Sequence, residues 1–337
     1  MTRVAIMGSG SWGTAFGMVL ADAGSDVVIW GRDADVIADI NERHRNEAYH
    51  PGIDLPRRIS ATTVPQEATD AASLVVLAVP AQVLRENLGV WGASIDPDAV
   101  LVSLMKGIEL GTTKRMSEVI REAADVAPER VAVVSGPNLA REIAERQPAA
   151  TTVACADEAS ARRLQDACTT DYFRPYWTTD VVGTEIGGAV KNVVALANGI
   201  AAGMGLGENS QASLITRGLA EMARLGVALG ADALTFQGLA GVGDLVATCN
   251  SPLSRNRTFG FNLGSGLTVE ETIAATKQTC EGYKSCQPIL ALAREHGVDM
   301  PITEQIVEVV HHGASPREMA SALLSRDTKA EALLAEQ

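Results

Sequence analysis

Short apolar runs alternate with helical patterns through the first half of the chain, up to about residue 180. Several runs are almost continuously apolar, which is typical of parallel strands covered on both faces of a sheet. We therefore predict an α/β domain with a doubly wound parallel sheet. Its predicted strands are "VAIMG" at Val4, "DVVIW" at Asp26, "ATTV" at Ala61, "SLVVLAVP" at Ser73, "VLVSLM" at Val100, "VAVVSG" at Val131 and "ATTVAC" at Ala150.

Strand patterns disappear from Glu185 onward, and Ala, Leu and Gly rich helical patterns such as "ITRGLAEMARLGVALG" follow. The second half is therefore predicted to be all helical. We place the boundary between Thr178 and Gly188, with an α/β domain at 1–184 and a helical domain at 185–337. The apolar segment 186–206 is long enough to cross a bilayer, but three polar residues and five glycines interrupt it. It predicts a buried helix and no membrane span.

Three glycines stand between the first predicted strand and a helical pattern. Gly8, Gly10 and Gly13 form G-x-G-x-x-G in the order strand, turn, helix. In such a unit the first glycine allows the tight turn, the second lets a pyrophosphate approach the backbone, and the third lets helix and strand pack closely. This context favours a Rossmann-like, dinucleotide-binding domain over a purely structural glycine turn.

The chain is acidic, with a net charge of −13 and a pI near 4.9. A nucleic-acid partner is not expected, since such proteins usually carry a basic footprint. An anionic ligand must instead meet a few well-placed cations. The five cysteines are scattered without metal-ligand spacing, so we predict free thiols and no metal site. The chain opens directly into a strand, and we expect no secretory signal and a cytoplasmic location.

The end of the second predicted strand bears on cofactor choice. It reads "IWGRD", with Arg32 directly after the strand and Asp33 next. An acid at this point binds a ribose 2′-hydroxyl, whereas an arginine accepts a 2′-phosphate. NADP is therefore an acceptable cofactor, and NAD remains open. The alternative is a solvated arginine at a strand end.

Two lysines occupy positions that suggest chemistry. Lys191 lies inside the apolar helix, with Asn198 on its face and Asn192 beside it. A buried ammonium needs a partner, and burial suits a lysine to proton transfer. The structural alternative pairs Lys191 with Glu185 or another acid at the domain interface. Lys106 opens "KGIE" at the end of the fifth strand, where doubly wound sheets bind ligands, unless it is an ordinary strand-end lysine.

A glycine-rich stretch in the second half offers an anion site. "GLAGVGDLVATCNSPLSRNRTFG" places Asp244 in a bend and Ser254 at a plausible helix N-cap, directly before Arg255. An arginine at a helix start is a natural phosphate site. "SRNR" could also be surface charge. "SGPN", 135–138, ends another strand and could bring backbone amides to a ligand.

The motifs together resemble a known family. "GSGSWGTA", "KGIE", "SGPN", "EIGGAVKNVVALANGIAAGMGLGENS", "LITRGLAEM", "GLAGVGDL" and "LSRNR" occur in the order expected of bacterial NAD(P)-dependent glycerol-3-phosphate dehydrogenases. The sequence departs from the family at "GENSQAS", where "GDNAKAA" is usual, and at "TCEGYKS", which replaces "VAEGVxT" around a cofactor contact at Thr279.

The resemblance implies a homodimeric cytosolic oxidoreductase that reduces dihydroxyacetone phosphate to sn-glycerol 3-phosphate for glycerophospholipid synthesis. It implies cofactor contacts at Ser11, Trp12, Arg32, Tyr49, Ala140 and Glu281, to which we add Gly8, Gly10, Gly13, Lys106 and Arg255. It implies substrate contacts at Lys106, Gly136, Asn138, Lys191, Asp244, Ser254, Arg255 and Asn256.

The residues fit this chemistry. We expect Lys191 to protonate the carbonyl oxygen as hydride reaches the carbon, and Asp244 to hold this lysine or a substrate hydroxyl. Lys106 and Asn192 would orient the substrate, while Arg255 and the Asn256 amide would hold its phosphate. Two alternatives remain open: a two-domain dehydrogenase acting on a hydroxy acid, and a nicotinamide-binding sensor without turnover.

Overall fold

The computed structural model describes residues 2–276 and 280–327. The chain forms two compact units: unit 1 contains the chain up to Met105 together with Met116–Val181, and unit 2 contains Lys106–Arg115 and the chain from Val182 onward. The predicted boundary at 184/185 made each domain one continuous stretch of chain, whereas in the structure the segment 106–115 belongs to unit 2. The reason is visible at Ile108, which is fully buried among the apolar side chains of unit 2.

Unit 1 is built on one eight-stranded sheet with the order β3-β2-β1-β4-β5-β6-β7-β8. The neighbouring strands are parallel, except that β6 and β7 are antiparallel. A parallel sheet was predicted, and the sheet departs from this prediction at the β6–β7 pair. The strands are β1 Arg3–Met7, β2 Asp26–Trp30, β3 Ile59–Thr62, β4 Leu74–Leu77, β5 Val100–Ser103, β6 Val131–Ser135, β7 Ala149–Cys155 and β8 Phe173–Thr178.

All seven predicted strands are present, and β8 is an additional one. Sequence reasoning missed it because Pro175 lies inside it. Proline has no backbone N–H to donate to a neighbouring strand, so it is found mainly in edge strands. β8 is indeed an outermost strand.

Helices cover both faces of this sheet. Val4 and Ile6 of β1 join one apolar cluster, and the alternating Ala5 and Met7 join another. This two-sided burial is the doubly wound arrangement that was predicted. The helices of unit 1 are α1 Ser11–Asp22, α2 Ala34–Arg43, α3 Pro65–Thr69, α4 Leu84–Trp91, α5 Met116–Ala124, α6 Ala140–Ala144 and α7 Glu158–Ala167, with 3₁₀ turns at Ala81–Val83, Gly92–Ser94 and Pro128–Arg130.

Unit 2 is helical in its described part. Its helices are α8 Val181–Gly203, α9 Glu208–Ala228, α10 Asp244–Asn250, α11 Arg255–Gly264, α12 Val269–Ala275, α13 Glu281–Glu295, α14 Pro301–His311 and α15 Pro316–Leu324, with a 3₁₀ turn at Ala233–Gln237 and a π turn at Leu239–Gly243. Among the described residues, α8 alone is long and apolar enough to cross a membrane, yet 89% of its most apolar window is buried inside the protein. The predicted buried helix is confirmed.

The backbones of α8 and α11 touch directly. A Cβ on Gly199 would collide with the carbonyl oxygen of Arg257, and one on Gly260 would collide with that of Leu196. Only glycine permits such an approach, since it carries no side chain. The contact fixes the start of α11 beside the part of α8 that carries Lys191 and Asn192.

Candidate functional site

Two lysines share one buried carboxylate in unit 2. Lys106 Nζ donates to Asp244 Oδ2 at 2.6 Å, and Lys191 Nζ donates to Asp244 Oδ1 at 2.7 Å. The Asp244 side chain is 1% exposed, and the side chains of Lys106 and Lys191 are 13% and 8% exposed. The structure therefore brings together three residues that the sequence singled out separately.

A tight glycine contact places Asp244. A Cβ on Gly187, one turn before Lys191 on α8, would collide with the carbonyl oxygen of Ala240 in the glycine-rich bend. Gly241 in that bend has φ −99° and ψ −106°, outside the helical region. The bend can therefore lie against α8, and it delivers Asp244 to the first turn of α10 opposite Lys191.

The three charges change one another's protonation. Burial alone would raise the pKa of Asp244, but the ammonium groups of Lys106 and Lys191 outweigh burial and lower it. Burial lowers the pKa of Lys106 to about 8; Asp244 opposes this shift, and the charge of Lys191 adds to it. At neutral pH Asp244 is thus a carboxylate and Lys106 is mostly an ammonium.

Thr248 completes the cluster and was missed from the sequence. Lys191 Nζ lies 2.6 Å from its hydroxyl oxygen, and that hydroxyl lies 3.2 Å from Asp244 Oδ1. Thr248 follows Asp244 by one helical turn, so the spacing in "DLVAT" could have indicated it. Glu185 is not the acid that meets Lys191, because it accepts from Arg115 Nη1 at 2.8 Å. Lys191 is paired with another acid, Asp244, which the structural alternative also allowed.

A series of hydrogen bonds through two asparagine side chains links α13, α11 and α8 to the main chain of Lys106. The Gly282 N–H donates to Asn256 Oδ1 at 2.8 Å, and Asn256 Nδ2 donates to Asn192 Oδ1 at 2.8 Å. Asn192 Nδ2 then donates to the main-chain oxygen of Lys106 at 3.2 Å. The thiol of Cys280 also donates to Asn256 Oδ1, at 3.1 Å. Both asparagine side chains are therefore fixed in orientation.

The predicted N-cap at the start of α11 is confirmed. The Ser254 side chain accepts from the Arg257 N–H at 3.2 Å, and α11 begins at Arg255. Arg255 is exposed, and Asn256 is buried one position further on. A helix start with an exposed guanidinium suits a phosphate dianion.

The glycine turn of unit 1 has the predicted shape. Gly8 has φ +139°, and a Cβ on it would collide with the carbonyl oxygen of Ala78. A Cβ on Gly13 would collide with the Gly8 carbonyl oxygen, whereas one on Gly10 would meet no protein atom within 4 Å. Gly10 is also the N-cap of α1. The space above Gly10 and the N-terminus of α1 therefore fit a pyrophosphate.

Two further residues brace this turn and were missed. Asn46 Nδ2 donates to the Ser9 carbonyl oxygen at 3.0 Å, and His50 Nε2 lies 2.7 Å from the Ser11 carbonyl oxygen. Both side chains are fully buried, and burial lowers the pKa of His50. Because a carbonyl only accepts, the neutral imidazole carries its proton on Nε2. Their burial could not be read from the charged segment "NERHRNEAYH".

Arg32 and Asp33 have different environments at the end of β2. Asp33 is the N-cap of α2, where its side chain accepts from the N–H groups of Asp35 and Val36. Arg32 is exposed. The carboxylate is thus occupied locally, which favours Arg32 as the residue that meets a cofactor.

The remaining predicted contacts are divided between the units. In unit 1, Trp12 packs at the start of α1, Tyr49 is 36% exposed, and Ala140 begins α6. Asn138, two residues after Gly136, donates from Nδ2 to Thr151 Oγ1 at 2.9 Å. Among the predicted substrate contacts, Gly136 and Asn138 lie in unit 1 and the others lie in unit 2. Among the predicted cofactor contacts, Lys106, Arg255 and Glu281 lie in unit 2 and the others lie in unit 1. Thr279 lies outside the described residues.

We expect alanine at two of these glycines to give opposite results. Gly10→Ala should leave the thermal midpoint of the cofactor-free protein unchanged and weaken cofactor binding about tenfold or more, since the methyl group would occupy the space for the pyrophosphate. Gly13→Ala should destabilise the fold by about 1–3 kcal/mol through overpacking. Thermal unfolding and a fluorescence titration with NADPH measure both. Wild-type cofactor affinity in Gly10→Ala would contradict the assignment.

A phosphate-cradling glycine turn on an α/β sheet and a lysine pair on one buried carboxylate define a class: the two-domain, dinucleotide-dependent dehydrogenases. Family models described as the N-terminus and C-terminus of NAD-dependent glycerol-3-phosphate dehydrogenase match residues 3–161 and 180–321. The chain belongs to this family. It is an oxidoreductase, its cofactor is NAD or NADP, and the resemblance seen in the sequence is confirmed.

Individual relatives agree with the family match. A glycerol-3-phosphate dehydrogenase (NAD(P)+) of Streptomyces griseus is 63% identical over 329 residues, which cover 98% of each chain. One from Thermobifida fusca is 61% identical over 332 residues, covering 98% of this chain and 99% of the relative. The crystal structure of a glycerol-3-phosphate dehydrogenase from Coxiella burnetii has a TM-score of 0.91 at 35% identity and covers 96% of this chain and 98% of its own.

Proposed function

We propose that this protein reduces dihydroxyacetone phosphate to sn-glycerol 3-phosphate, with a hydride from NADPH or NADH and a proton from Lys191. The observation that carries the proposal is the pairing of Lys191 and Lys106 with the two oxygens of Asp244, at 2.7 and 2.6 Å. The names of the relatives support the substrate and the cofactors. The cofactor, when bound, supplies the hydride that adds to the carbonyl carbon.

Lys191 is the group placed to handle the proton. Its ammonium is held by Asp244 and Thr248, which leaves one N–H to point at a carbonyl oxygen. As negative charge develops on that oxygen, Lys191 donates the proton and becomes a neutral amine. In the reverse direction the same amine takes the proton from the hydroxyl. Asp244 stays ionised and keeps the amine in place.

Lys106 orients the substrate and stabilises its developing alkoxide. Asn192, whose side-chain N–H groups donate to the main-chain oxygens of Lys106 and Gly188, holds Lys106 in place. Lys106 acts as a cation, so its contribution should fall as pH rises through about 8, where it loses its proton. Asn192 is fixed by Asn256, so it needs no reorganisation during the reaction. Positioning of this kind supplies a large share of enzymatic rate.

The start of α11 holds the phosphate. Arg255 offers a guanidinium, and the first backbone amides of α11, including that of Asn256, face the helix start. An acidic chain of net charge −13 would repel a dianion without such a site. The phosphate thereby fixes the end of the substrate remote from the reacting carbonyl.

The test is loss of absorbance at 340 nm when purified protein meets NADPH or NADH and dihydroxyacetone phosphate. Oxidation that depends on this substrate is the expected result. Cofactor binding without consumption under any substrate would instead identify a sensor. Consumption with a 2-oxo acid and none with dihydroxyacetone phosphate would favour the hydroxy-acid alternative.

Replacement of Arg32 tests cofactor choice. We expect Arg32→Ala to raise the KM for NADPH strongly and to spare NADH, because only NADPH carries a 2′-phosphate. The loss of a charged hydrogen bond corresponds to about 1.5–3 kcal/mol, roughly 10-fold to 150-fold in KM. NADH is the matched control in the same protein. Equal changes for both cofactors would refute the 2′-phosphate contact.

The cellular setting follows the family resemblance. We propose a cytoplasmic homodimer whose product enters glycerophospholipid synthesis. Light scattering of the purified protein measures the dimer, and glycerol 3-phosphate auxotrophy of a deletion strain tests the physiological role. A monomer in solution, or normal lipid synthesis without the gene, would contradict the respective part.

A further inference from the structure

The segment 106–115 forms a closed hairpin that carries Lys106. It leaves unit 1 after β5, folds with unit 2 and returns to unit 1 at Met116. Ile108 and Arg115 pair across it as an antiparallel bridge, and the Glu109 N–H donates to the Lys114 carbonyl oxygen at 2.9 Å. We call these residues the 106–115 hairpin.

The hairpin is attached to α8 at both of its ends. At one end Arg115 Nη1 donates to Glu185 Oε2 at 2.8 Å, and at the other the Lys106 carbonyl oxygen accepts from Asn192 Nδ2 at 3.2 Å. Glu185 and Asn192 are two helical turns apart, so they lie on one face of α8 with a separation of about 10 Å. The hairpin is therefore held along α8 at two points.

These attachments are buried. The Glu185 and Arg115 side chains are 4% and 15% exposed, and Ile108 between the two attachments is fully buried in the core of unit 2. A short ion pair between a largely buried guanidinium and a buried carboxylate has a fixed geometry. The base of the hairpin is thus held rigidly, while Lys106 Nζ reaches Asp244.

We propose that Arg115 and Glu185 are positioning residues that hold Lys106 in the catalytic cluster by fixing the 106–115 hairpin on α8. The pair itself touches neither substrate nor cofactor in this role. The inference rests on the proposed function, because it assumes that Lys106 orients the substrate.

Release of the hairpin should have a specific electrostatic consequence. The charged groups that act on the Lys106 ammonium are Asp244 of α10 and Lys191 of α8, and burial is the dominant influence on it. A loosened hairpin exposes Lys106 to water, which relieves the cost of burying its charge. The pKa of Lys106 should then rise from about 8 toward the ordinary value of a solvated lysine.

The decisive variant is Arg115→Met combined with Glu185→Met, which removes the ion pair without leaving either charge buried and alone. The matched control is Thr113→Ala in the same hairpin, which removes an exposed hydrogen bond to Glu295 and leaves both attachments to α8 intact. Arg115→Lys keeps the charge but loses the guanidinium geometry, so it should give a smaller loss of kcat/KM and a smaller rise of the Lys106 pKa in the same direction. It replaces the double variant if that protein does not fold.

Two measurements are made on each protein. In the double variant kcat/KM for dihydroxyacetone phosphate should fall about tenfold or more, as expected for a displaced orienting group. Competitive acylation of lysines with acetic anhydride, followed by peptide mass spectrometry, reports the pKa of Lys106 without turnover. That pKa should rise in the double variant and stay unchanged in Thr113→Ala.

The outcomes separate this inference from the proposed function. A wild-type protein that does not reduce dihydroxyacetone phosphate refutes the function, and the acylation result still decides whether the pair holds Lys106. A folded double variant, or a folded Arg115→Lys protein, with wild-type kcat/KM and an unshifted Lys106 overturns the inference. Equal effects in Thr113→Ala would also overturn it, since they would show a general loss of hairpin stability.

Discussion

Replacing Lys191 by alanine is expected to lower turnover by about a hundredfold or more, the usual contribution of a general acid. The structure gives the reason: Lys191 Nζ is held by Asp244 at 2.7 Å and by Thr248 at 2.6 Å, so its proton is presented in one direction. NADPH binding should be unchanged, because the glycine turn lies in unit 1. Steady-state kinetics and a fluorescence titration measure the two quantities.

Two further variants isolate the cause. Lys191→Arg keeps the positive charge but cannot release a proton near neutral pH, so it should be nearly as inactive as Lys191→Ala. Lys284→Ala, which removes an exposed lysine of α13, should have no effect. Turnover close to that of the wild type in Lys191→Ala would remove the general acid from the proposal.

Replacing Arg255 by alanine is the second change with a large expected effect. Loss of its bond to the substrate phosphate should cost about 1.5–3 kcal/mol, or roughly 10-fold to 150-fold in kcat/KM. We expect kcat to fall as well as KM to rise, because binding energy at the phosphate also aligns the remote carbonyl. Initial rates over a range of dihydroxyacetone phosphate concentrations separate the two parameters.

A truncated substrate provides the control. Dihydroxyacetone without phosphate should be a poor substrate for the wild type, and added phosphite dianion should partly restore its reduction by filling the site at α11. That rescue should shrink in Arg255→Ala, and guanidinium ion should recover some of it. If the wild type reduced dihydroxyacetone nearly as well as its phosphate ester, Arg255 would not be the phosphate site, and a hydroxy-acid substrate would become the better hypothesis.

Local sequence patterns predict the elements of this protein well. Apolar runs identified seven of the eight strands, and the glycine spacing identified the turn before α1. β8 was not predicted because Pro175 interrupts its strand pattern. The antiparallel pairing of β6 with β7 follows from chain reversal in space, which strand composition does not encode.

The candidate site was predictable in its residues but not in its pairings. A lysine inside an apolar helix implies an oppositely charged partner. That partner, Asp244, is 53 positions away, and nothing in the sequence near Lys191 indicates it. Glu185, the neighbour in sequence, is instead neutralised by Arg115, 70 positions before it. Such choices depend on how helices pack, as at Gly187 and Ala240, and periodicity carries no information about them.

The return of the 106–115 hairpin to unit 1 limits how this protein can be divided. The chain passes between the units at 105/106, 115/116 and 181/182, so no single cut separates them. A fragment beginning at Val182 would lack Lys106 and leave Glu185 without Arg115, even if all its helices formed. To transplant unit 2 onto another dinucleotide-binding domain, one must therefore replace an internal loop of the recipient as well as its C-terminal half. Recombination at a single junction would bring Lys191 without Lys106.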